Sequence, residues 1–498
     1  MVASACARAP RPATPGVSPS SRAALAELHR DLDSILAAPE LQRLTWAVLV
    51  RSLDQDEVLY QVNAGKLMMP ASNMKILTMA AAAERLGWEY RFETRLQTAA
   101  SIESGHLSGD LIVVGGGDPT INTRTNVDAL FDDWAARLRA LGIETIDGRL
   151  VGDDNRFDDE TFGAGWTLDN LPFGFAAPVG ALQIHEDEVQ LRLRPGDAPG
   201  APVTVEFAQA DSGLVIENRL TTVAAGETLA IDIRRWPRGR VLQVSGTIPV
   251  GPSELTRTAS VDNPTEYFVR TLKAALIARG IAVHGDAADI DDLPSQAIGP
   301  EAAVVRTLFV HRSPPLSDIG KVMMTVSQNL YAETLIRALA TTEREPATAA
   351  AGRRVGRGVL EAWGIPVDSF VYVDGSGLSR YNYVSAEAIV RILTRMGTDP
   401  KHASIFPGTL PLAGEEGTLR QRFKSTRAQG NVRAKTGSID NARALSGYVT
   451  TLDGDRLVFS MLANHFTLPA SQIEGVIDRL VERLANFSRA ARPAQRPR

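Results

Sequence analysis

Residues 70–87 read PASNMKILTMAAAAERLG, a run of good helix formers that predicts one helix. Pro70 suits the first turn of that helix, and Gly87 suits its end. Ser72 and Lys75 stand three residues apart near its start, so their side chains share one face and can reach each other. Taken alone, this spacing fits a nucleophile beside its base, and it fits at least as well a capping serine beside a solvated lysine.

A serine hydroxyl is a weak nucleophile unless a base removes its proton. Lysine serves as that base only when burial or a neighbouring cation lowers its pKa, a condition that depends on the folded structure. The predicted helix also offers the backbone N–H of Ser72 to negative charge that develops during a reaction. Ser72 and Lys75 are therefore the candidate nucleophile and general base of an acyl-transfer site.

Two further triplets follow along the chain. Ser-Gln-Asn at 327–329 falls inside a stretch with helical periodicity, residues 316–340, and Lys-Thr-Gly at 435–437 leads towards the strand-like sequence ALSGYVTT. Each triplet is a weak signal by itself. In this order, however, Ser-x-x-Lys, Ser-x-Asn and Lys-Thr-Gly are the signature of penicillin-binding proteins and serine β-lactamases.

The type of secondary structure that the sequence predicts changes twice along the chain. Helical periodicity and a pair of strand-like runs precede residue 94, and helices return beyond residue 315. Between them, short β-like stretches broken by Gly, Pro and Asp fill residues 94–304, with a single helical stretch at 264–281. These changes predict one discontinuous αβ domain whose two halves flank a β-rich insertion.

Longer stretches around the triplets carry a family resemblance. NAGKLMMPASNMKILTMAAAAERLG (63–87), GGGDPT (115–120), DGSGLSRYN (374–382) and AKTGS (434–438) together resemble the penicillin-binding protein 4 family. That family comprises low-molecular-mass D-alanyl-D-alanine carboxypeptidases and endopeptidases, peptidase family S13. The resemblance implies a multidomain α+β fold, in which a penicillin-binding, serine β-lactamase-like transpeptidase domain is interrupted by two inserted β-rich domains.

Together with the changes in texture, the resemblance predicts a division of the chain. The predicted parts are a disordered leader (1–21), a discontinuous catalytic domain (22–93 and 305–486), inserted domain II (94–160 and 262–304), inserted domain III (161–261) and a tail (487–498). The GGGDPT turn is expected to be structural, because Gly permits positive φ and Asp and Pro favour turns.

The resemblance also implies a role for each motif residue. Ser72 would be the acylated nucleophile, Lys75 its general base, and Ser327 the group that relays a proton to the departing amine. The implied substrate-binding residues are Asn329, for the amide; Lys435 and Thr436, for the terminal carboxylate; Gly437, beside them; Ser438, whose backbone N–H would complete an oxyanion hole with that of Ser72; and Arg380. Arg380 would touch the substrate or close the cleft, although a surface arginine beside a turn is nearly as good an interpretation.

Two positions depart from the family pattern. Gly180, in APVGALQIHED, stands where relatives often have a serine, and Asp440 follows the third motif where others have an amide or apolar residue. Both departures bear on substrate preference. The following triplet His-Glu-Asp at 185–187 is expected to lie in a solvated loop rather than to bind a metal.

Composition narrows the chemistry further. The chain has 498 residues, of which 44% are hydrophobic and 22% charged, and its formal charge of −5 gives no general attraction for nucleic acid. Cys6 is the only cysteine, which excludes a disulfide within the chain and a cysteine zinc site. The 7 histidines are scattered without metal-ligand spacing, so neither a metal nor another cofactor is predicted.

The cellular location is inferred from the implied substrate. No run of about 18 apolar residues is present, which predicts no transmembrane segment, and the first 21 residues lack the apolar core of a secretory signal. Peptidoglycan stem peptides lie outside the cytoplasm, so the resemblance implies a periplasmic or otherwise extracytoplasmic enzyme. It also implies β-lactams as covalent inhibitors.

Two other functions remain open. A β-lactamase or esterase of the same fold would use the same motifs, but it needs an efficient deacylating water, and the large insertion argues against it. A non-catalytic penicillin-binding scaffold would keep the fold without turnover, and the intact residues Ser72, Lys75, Ser327 and Lys435 argue against that function. The sequence decides neither the oligomeric state nor the balance between carboxypeptidase and endopeptidase activity.

Overall fold

The computed structural model describes residues 19–209, 212–251, 253–294, 305–341 and 345–490. Cys6 and nearly all of the predicted leader lie outside the described residues, as does most of the predicted tail. The first described element is the helix Pro19–Leu36, which covers the amphipathic stretch that the sequence marks as helical.

The central sheet joins the two ends of the chain. Its five strands lie in the order Glu57–Val62, Thr45–Ser52, Arg456–Asn464, Ala442–Thr450 and Arg433–Ile439, and neighbouring strands are antiparallel. The strand Arg433–Ile439, hereafter the Lys-Thr-Gly strand, carries the third motif and lies at an edge of this sheet. An edge strand has one side free of sheet pairing, so its backbone can face a cleft.

Both faces of the central sheet are buried beneath helices. Alternate residues of Thr45–Ser52 point to opposite faces: Trp46 and Val48 pack with the helices Pro19–Leu36 and Ala470–Ala485, whereas Ala47 and Leu49 face the other side. The helices in the core on that other side are Met74–Leu86, Leu316–Thr325, Asn329–Ala338, Ala349–Ala362, Ala386–Thr398 and Phe406–Thr409. The three sequence motifs therefore belong to a packed three-layer scaffold.

The helix Met74–Leu86, hereafter the nucleophile helix, is buried on all sides along most of its length. A helix with this pattern belongs in the interior of a protein. A short 3-10 turn, Ala71–Asn73, hereafter the nucleophile turn, precedes it, so Ser72 lies just before the helix and Lys75 in its first turn. The predicted pairing of these two side chains on one face is thus preserved.

The second motif differs from its prediction. A single helix was expected over residues 316–340, but the chain leaves the helical conformation at Ser327, whose φ of 64° is left-handed. The next helix begins at Asn329, and the side chain of Gln328 caps it by accepting a hydrogen bond from the Leu330 N–H at 3.0 Å. The expectation of an uninterrupted helix is wrong, and the break leaves Ser327 half-buried on a turn that lines the cleft.

The intervening residues form smaller sheets around a second hydrophobic core. One sheet has five strands: Ala287–Asp289, Leu150–Asp153, Leu111–Val114, Glu93–Thr98 and Arg306–Arg312. Another has four: Ala282–Val283, Thr145–Ile146, His106–Leu107 and Ile102–Glu103. Two have three each: Thr204–Phe207, Glu188–Arg194 and Leu255–Ser260, then Val215–Val223, Val241–Pro249 and Ala230–Arg234. The β-rich texture predicted for this region is therefore present.

Among the described residues of this region, two α-helices rather than one accompany these sheets. Pro264–Ala278 was expected, whereas Val127–Ala140 was not. The second helix buries Phe131, Trp134 and Leu138 at helical spacing, and Asn126 caps its first turn. The expectation of a single helix in this region is therefore wrong.

The strand that follows the inserted region belongs to an inserted sheet rather than to the central sheet. The strand Arg306–Arg312 pairs with Glu93–Thr98 in the five-stranded inserted sheet. We therefore propose that the second half of the catalytic domain starts just after Arg312 rather than at residue 305.

Candidate active site

The three motifs meet at the N-terminal end of the nucleophile helix. Lys75 Nζ lies 3.1 Å from Ser72 Oγ, within hydrogen-bonding distance. Lys75 is fully buried and also donates to Asn329 Oδ1 at 2.6 Å and to the backbone carbonyl of Ser376 at 2.8 Å. Three acceptors match the three donors of a lysine ammonium group, so the position of Nζ is fixed from three sides.

Burial lowers the pKa of Lys75 to about 7, against the opposing effects of the nearby negative charges of Asp374 and Glu333. At neutral pH a substantial fraction of this amine is therefore uncharged. An uncharged amine 3.1 Å from a hydroxyl can take its proton. The structure thus meets the condition that the sequence left open.

The second and third motifs touch through Ser327 and Lys435. Lys435 Nζ donates to Ser327 Oγ at 2.9 Å, and Lys435 itself is fully buried. Burial, and then repulsion from Lys75, hold the pKa of Lys435 well below its usual range. Ser327 therefore lies against one of two lysines whose ammonium forms are destabilised.

Close packing holds the Lys-Thr-Gly strand against the nucleophile turn. Asn73 Nδ2 donates to the backbone carbonyl of Lys435 at 3.0 Å. At Gly437, a Cβ atom would lie 2.5 Å from the carbonyl oxygen of Pro70 and 2.9 Å from Ala444 Cβ. Only glycine permits this approach, so Gly437 sets the distance between the two motifs.

The motif residues open onto a cleft of about 570 Å³. Its walls contain Ser72, Ser327, Asn329, Arg380 and Ser438 from the predicted site, together with Thr167, Asp169, Asn170, Phe175, Gly377, Leu378, Ile439, Asp440 and Arg443. Lys75 and Lys435 lie buried behind this surface, and Thr436 and Gly437 line a smaller adjoining pocket with Ser438. A larger groove of about 760 Å³ elsewhere contains none of the motif residues.

Arg380 spans the mouth of this cleft. The short strands Phe370–Val371 and Tyr383–Val384 pair and hold the intervening DGSGLSRYN segment beside the nucleophile turn. From there, Arg380 Nη1 donates to the backbone carbonyl of Asp440, at the end of the third motif, at 3.0 Å. Arg380 thus joins two walls of the cleft.

The sequence did not predict the buried carboxylates behind Lys75 or the tryptophan that contacts one of them. Glu333 and Asp374 are buried carboxylates behind Lys75, and Trp166 donates its indole N–H to Asp374 Oδ2 at 2.9 Å. Burial, followed by repulsion from Asp374, raises the pKa of Glu333 to about 7. The spacing of Glu333, four residues after Asn329, was a signal that both lie on one helix face.

The inserted region supplies a further wall of the site. The backbone carbonyl of Phe175 accepts a hydrogen bond from Asn329 Nδ2 at 2.6 Å, which turns Oδ1 of that amide towards Lys75. Glu186 accepts from Gln328 Nε2 and from Arg124 Nε, each at 2.7 Å. Gln328 and Asn329 of the second motif are therefore held by hydrogen bonds to the inserted region.

The triplet His-Glu-Asp at 185–187 was expected to be a solvated loop, and that expectation is wrong. Asp187 is fully buried, and all three residues have left-handed φ values between 53° and 61°. Non-glycine residues adopt this conformation only where the surrounding structure holds them. The turn carries Glu186 to Gln328, which gives it a place in the site.

Comparisons with known proteins agree with this geometry. Residues 28–486 match the D-Ala-D-Ala carboxypeptidase 3 (S13) family model. The chain is 33% identical over 487 residues to a D-alanyl-D-alanine carboxypeptidase of Actinomadura sp. (strain R39), an alignment that covers 96% of this chain and 88% of the relative. It is 28% identical over 428 residues to the D-alanyl-D-alanine carboxypeptidase DacB of Haemophilus influenzae, covering 84% and 85% of the two chains.

A solved structure shares the architecture. The crystal structure of penicillin binding protein 4 from Haemophilus influenzae matches with a TM-score of 0.79 at 26% identity, over 92% of this chain and 99% of that one. The same protein complexed with a β-lactam matches with a TM-score of 0.73. The fold is that of penicillin-binding proteins and serine β-lactamases with additional domains, as the sequence resemblance implied. With nearly its whole length matched, the chain belongs to the D-Ala-D-Ala carboxypeptidase 3 (S13) family.

Proposed function

We propose that this protein is a serine carboxypeptidase that removes the terminal D-alanine from peptidoglycan stem peptides through an acyl-enzyme on Ser72. The observation that carries the proposal is the pair Ser72–Lys75. Lys75 Nζ lies 3.1 Å from Ser72 Oγ in a buried position that lowers the pKa of Lys75 to about 7. A serine with such a base is equipped for nucleophilic attack on an amide.

In the acylation step, uncharged Lys75 takes the proton from Ser72 Oγ as the oxygen attacks the carbonyl carbon of the penultimate D-alanine. Ser72 and Ser438 line the same cleft, and their backbone N–H groups are the proposed donors to the developing oxyanion. The tetrahedral intermediate then breaks its C–N bond. Its acyl part stays on Ser72 as an ester.

The departing nitrogen needs a proton, and Ser327 is placed to supply it. Ser327 Oγ donates its proton to the leaving amine and is reprotonated from Lys435 Nζ, 2.9 Å away. Asn329 is the group that binds the amide of the substrate. Asn329 Oδ1 continues to accept a hydrogen bond from Lys75 Nζ at 2.6 Å, and that contact keeps the side-chain amide of Asn329 in a defined orientation.

The terminal carboxylate of the substrate binds beside Lys435 and Thr436. Thr436 Oγ1 contacts Thr418 Oγ1 at 2.9 Å, so a hydroxyl pair lines the smaller pocket that adjoins the cleft. An arriving carboxylate favours the ammonium form of Lys435, because an opposite charge nearby offsets the cost of burial. Substrate binding and protonation of Lys435 are thereby linked. Gly437 keeps this strand close to the nucleophile turn.

Hydrolysis of the acyl-enzyme completes the cycle. After D-alanine leaves, Lys75 releases to solvent the proton that it took from Ser72, and Lys435 regains one. Water then enters, and Lys75 removes a proton from it as the water oxygen attacks the ester. The same proton passes from Lys75 to Ser72 Oγ as the C–O bond breaks, which releases the shortened peptide and restores Ser72. A β-lactam ring presents a strained amide to the same serine, so we propose that β-lactams acylate Ser72 and leave slowly.

The substrate places the working protein outside the cytoplasm, and we propose an extracytoplasmic location on that ground. Among the described residues, none of the helices has the length and apolar character needed to cross a bilayer.

The direct test is release of D-alanine from a synthetic peptide that ends in D-alanyl-D-alanine. The protein should release one D-alanine per peptide, and Ser72→Ala should reduce the rate to background. The same peptide ending in D-alanyl-L-alanine is the matched control substrate. Slow D-alanine release combined with rapid turnover of a β-lactam would favour a β-lactamase. Stable acylation by a β-lactam without any peptide turnover would favour a scaffold.

A further inference from the structure

One of the three partners that fix Lys75 is a loop rather than a motif side chain. Nζ donates to the carbonyl oxygen of Ser376 at 2.8 Å, and Ser376 is fully buried. This carbonyl lies in the loop formed by residues 374–377, hereafter the carbonyl loop. Because Lys75 must stay within reach of Ser72, the conformation of the carbonyl loop affects the geometry of the base.

Glu333 holds the carbonyl loop from the neighbouring helix. Its carboxylate accepts hydrogen bonds from the Ser376 N–H at 2.7 Å and from the Gly375 N–H at 3.2 Å. The side chain is 2% exposed, so these bonds replace the water that a carboxylate would otherwise bind. Glu333 and Asn329 share one face of the helix Asn329–Ala338, and that helix therefore contributes two of the contacts around Lys75, one direct and one through the loop.

Asp374 restrains the other end of the same loop. It accepts hydrogen bonds from the Gly377 N–H at 2.7 Å and the Ser379 N–H at 2.6 Å, and from Trp166 at 2.9 Å. Gly377 itself has a φ of 86°, and a Cβ atom there would lie 1.8 Å from the Ala71 carbonyl oxygen, next to the nucleophile. The carbonyl loop is thus fixed on both sides of Ser376.

We infer that Glu333 is a positioning residue for the acylation reaction, acting on Lys75 through the Ser376 carbonyl. The inference rests on the proposed role of Lys75 as the base for Ser72. The helix Asn329–Ala338 would then contribute to acylation through Glu333 as well as through Asn329 of the second motif. Glu333 would hold the base in place, which a side chain that only fills space would not do.

Glu333 acts on the base in two separable ways. Its hydrogen bonds place the Ser376 carbonyl, and its ionised form, which is populated around and above pH 7, favours the ammonium form of Lys75. The charged and titratable groups that face this pair are Lys435, Asp374, Arg337 and Tyr372, with Asp158 and Arg353 beyond Arg337. Removing the charge of Glu333 leaves the burial of Lys75 less opposed, so the pKa of Lys75 should fall further.

Two variants separate these effects. Glu333→Gln removes the negative charge. It also removes one of the two hydrogen bonds to the carbonyl loop, because the amide N–H₂ of glutamine cannot accept a hydrogen bond. Glu333→Asp keeps the charge but retracts the carboxylate by one methylene, so it cannot reach both N–H groups. Glu361→Gln, on an exposed helix face away from the cleft, is the matched control.

The measurement is the rate of acylation by a chromogenic cephalosporin from pH 5 to pH 9, normalised to the number of serines that become labelled. Normalisation removes any contribution from misfolded molecules. In Glu333→Gln we expect the acidic limb of the profile to move to lower pH by about one unit, with a lower plateau. In Glu333→Asp we expect the limb to stay in place while the plateau falls about tenfold.

The outcomes distinguish the inference from the proposed function. If the unmodified protein is not acylated at Ser72, the proposed function fails before Glu333 is tested. If the unmodified protein is acylated but both variants keep its normalised plateau and limb, Glu333 is only structural and the inference is overturned. Should Glu333→Gln not fold, a wild-type plateau in Glu333→Asp overturns the inference by itself.

Discussion

Replacing Gly437 by alanine should slow acylation because the new methyl group has no space. Its Cβ would lie 2.5 Å from the Pro70 carbonyl oxygen, 2.9 Å from Ala444 Cβ and 3.1 Å from Asn73 Nδ2. Two of these atoms belong to the nucleophile turn and its cap, so the Lys-Thr-Gly strand must move away from Ser72. Overpacking of this kind costs about 1–3 kcal/mol of folding stability.

The effect on rate should exceed the effect on stability. The shift weakens the 3.0 Å contact between Asn73 and the Lys435 carbonyl and moves the carboxylate-binding side chains relative to the nucleophile. A displacement of about 1 Å at a reacting centre costs roughly a hundredfold in rate. We therefore expect Gly437→Ala to acylate about a hundred times more slowly while remaining folded at 25 °C.

The assay is stopped-flow acylation by a chromogenic β-lactam, alongside thermal unfolding of the same samples. Gly358→Ala is the matched control, because a Cβ at Gly358 meets no atom within 4 Å and the residue lies inside the helix Ala349–Ala362. The control should keep its acylation rate and gain about 0.5–1 kcal/mol of stability. A Gly437→Ala protein that acylates at the normal rate would refute the proposed packing of the third motif on the nucleophile turn.

Three further results are expected. Burial lowers the pKa of Lys75 to about 7, and only the uncharged amine accepts a proton, so acylation should rise roughly tenfold per pH unit below pH 7 and level off above it in a stopped-flow pH series. Glu186→Ala leaves Gln328 and Arg124 without a shared acceptor, so urea unfolding should show a loss of about 1–2 kcal/mol and acylation should slow, whereas Glu361→Ala should change neither. Arg380→Ala breaks the link to the Asp440 carbonyl, so KM for a pentapeptide should rise about tenfold in steady-state assays with little change in kcat; an unchanged KM would place Arg380 outside the substrate path.

Local geometry made part of the site predictable. The relation between Ser72 and Lys75 depends on one turn of backbone, and three-residue spacing at a helix start brings the two side chains together in almost any fold. The meeting of the three motifs is different, because no local rule brings residue 435 to residue 327. That expectation came from the resemblance to a family, and the 2.9 Å contact between the two side chains agrees with it.

The buried charges could not be recognised from the sequence. In NLYAETLIRA, Glu333 and Arg337 have the spacing of a solvent-exposed ion pair on a helix surface, yet they are 2% and 1% exposed. Their burial results from segments distant in sequence: the carbonyl loop covers Glu333, and Asp158 of the inserted region covers Arg337. Hydrophobic periodicity describes one helix at a time, so it carries no information about which distant segments pack over that helix.

Turns were the other source of error. Ser327 interrupts a stretch whose apolar spacing is helical throughout, because a single left-handed residue and the Gln328 cap outweigh propensity. The helix Val127–Ala140 is the opposite case, a helix that the sequence analysis did not predict. Its apolar residues are interspersed with aspartates and arginines, and the neighbouring β-like stretches dominated the interpretation.

The central claim is that Ser72 is the acylated nucleophile, and intact-mass spectrometry after incubation with a β-lactam tests it most directly. We predict one adduct per chain, mapped to the peptide that contains Ser72 and absent from Ser72→Ala. No adduct after hours of incubation with folded protein, or an adduct that persists in Ser72→Ala, would contradict the account.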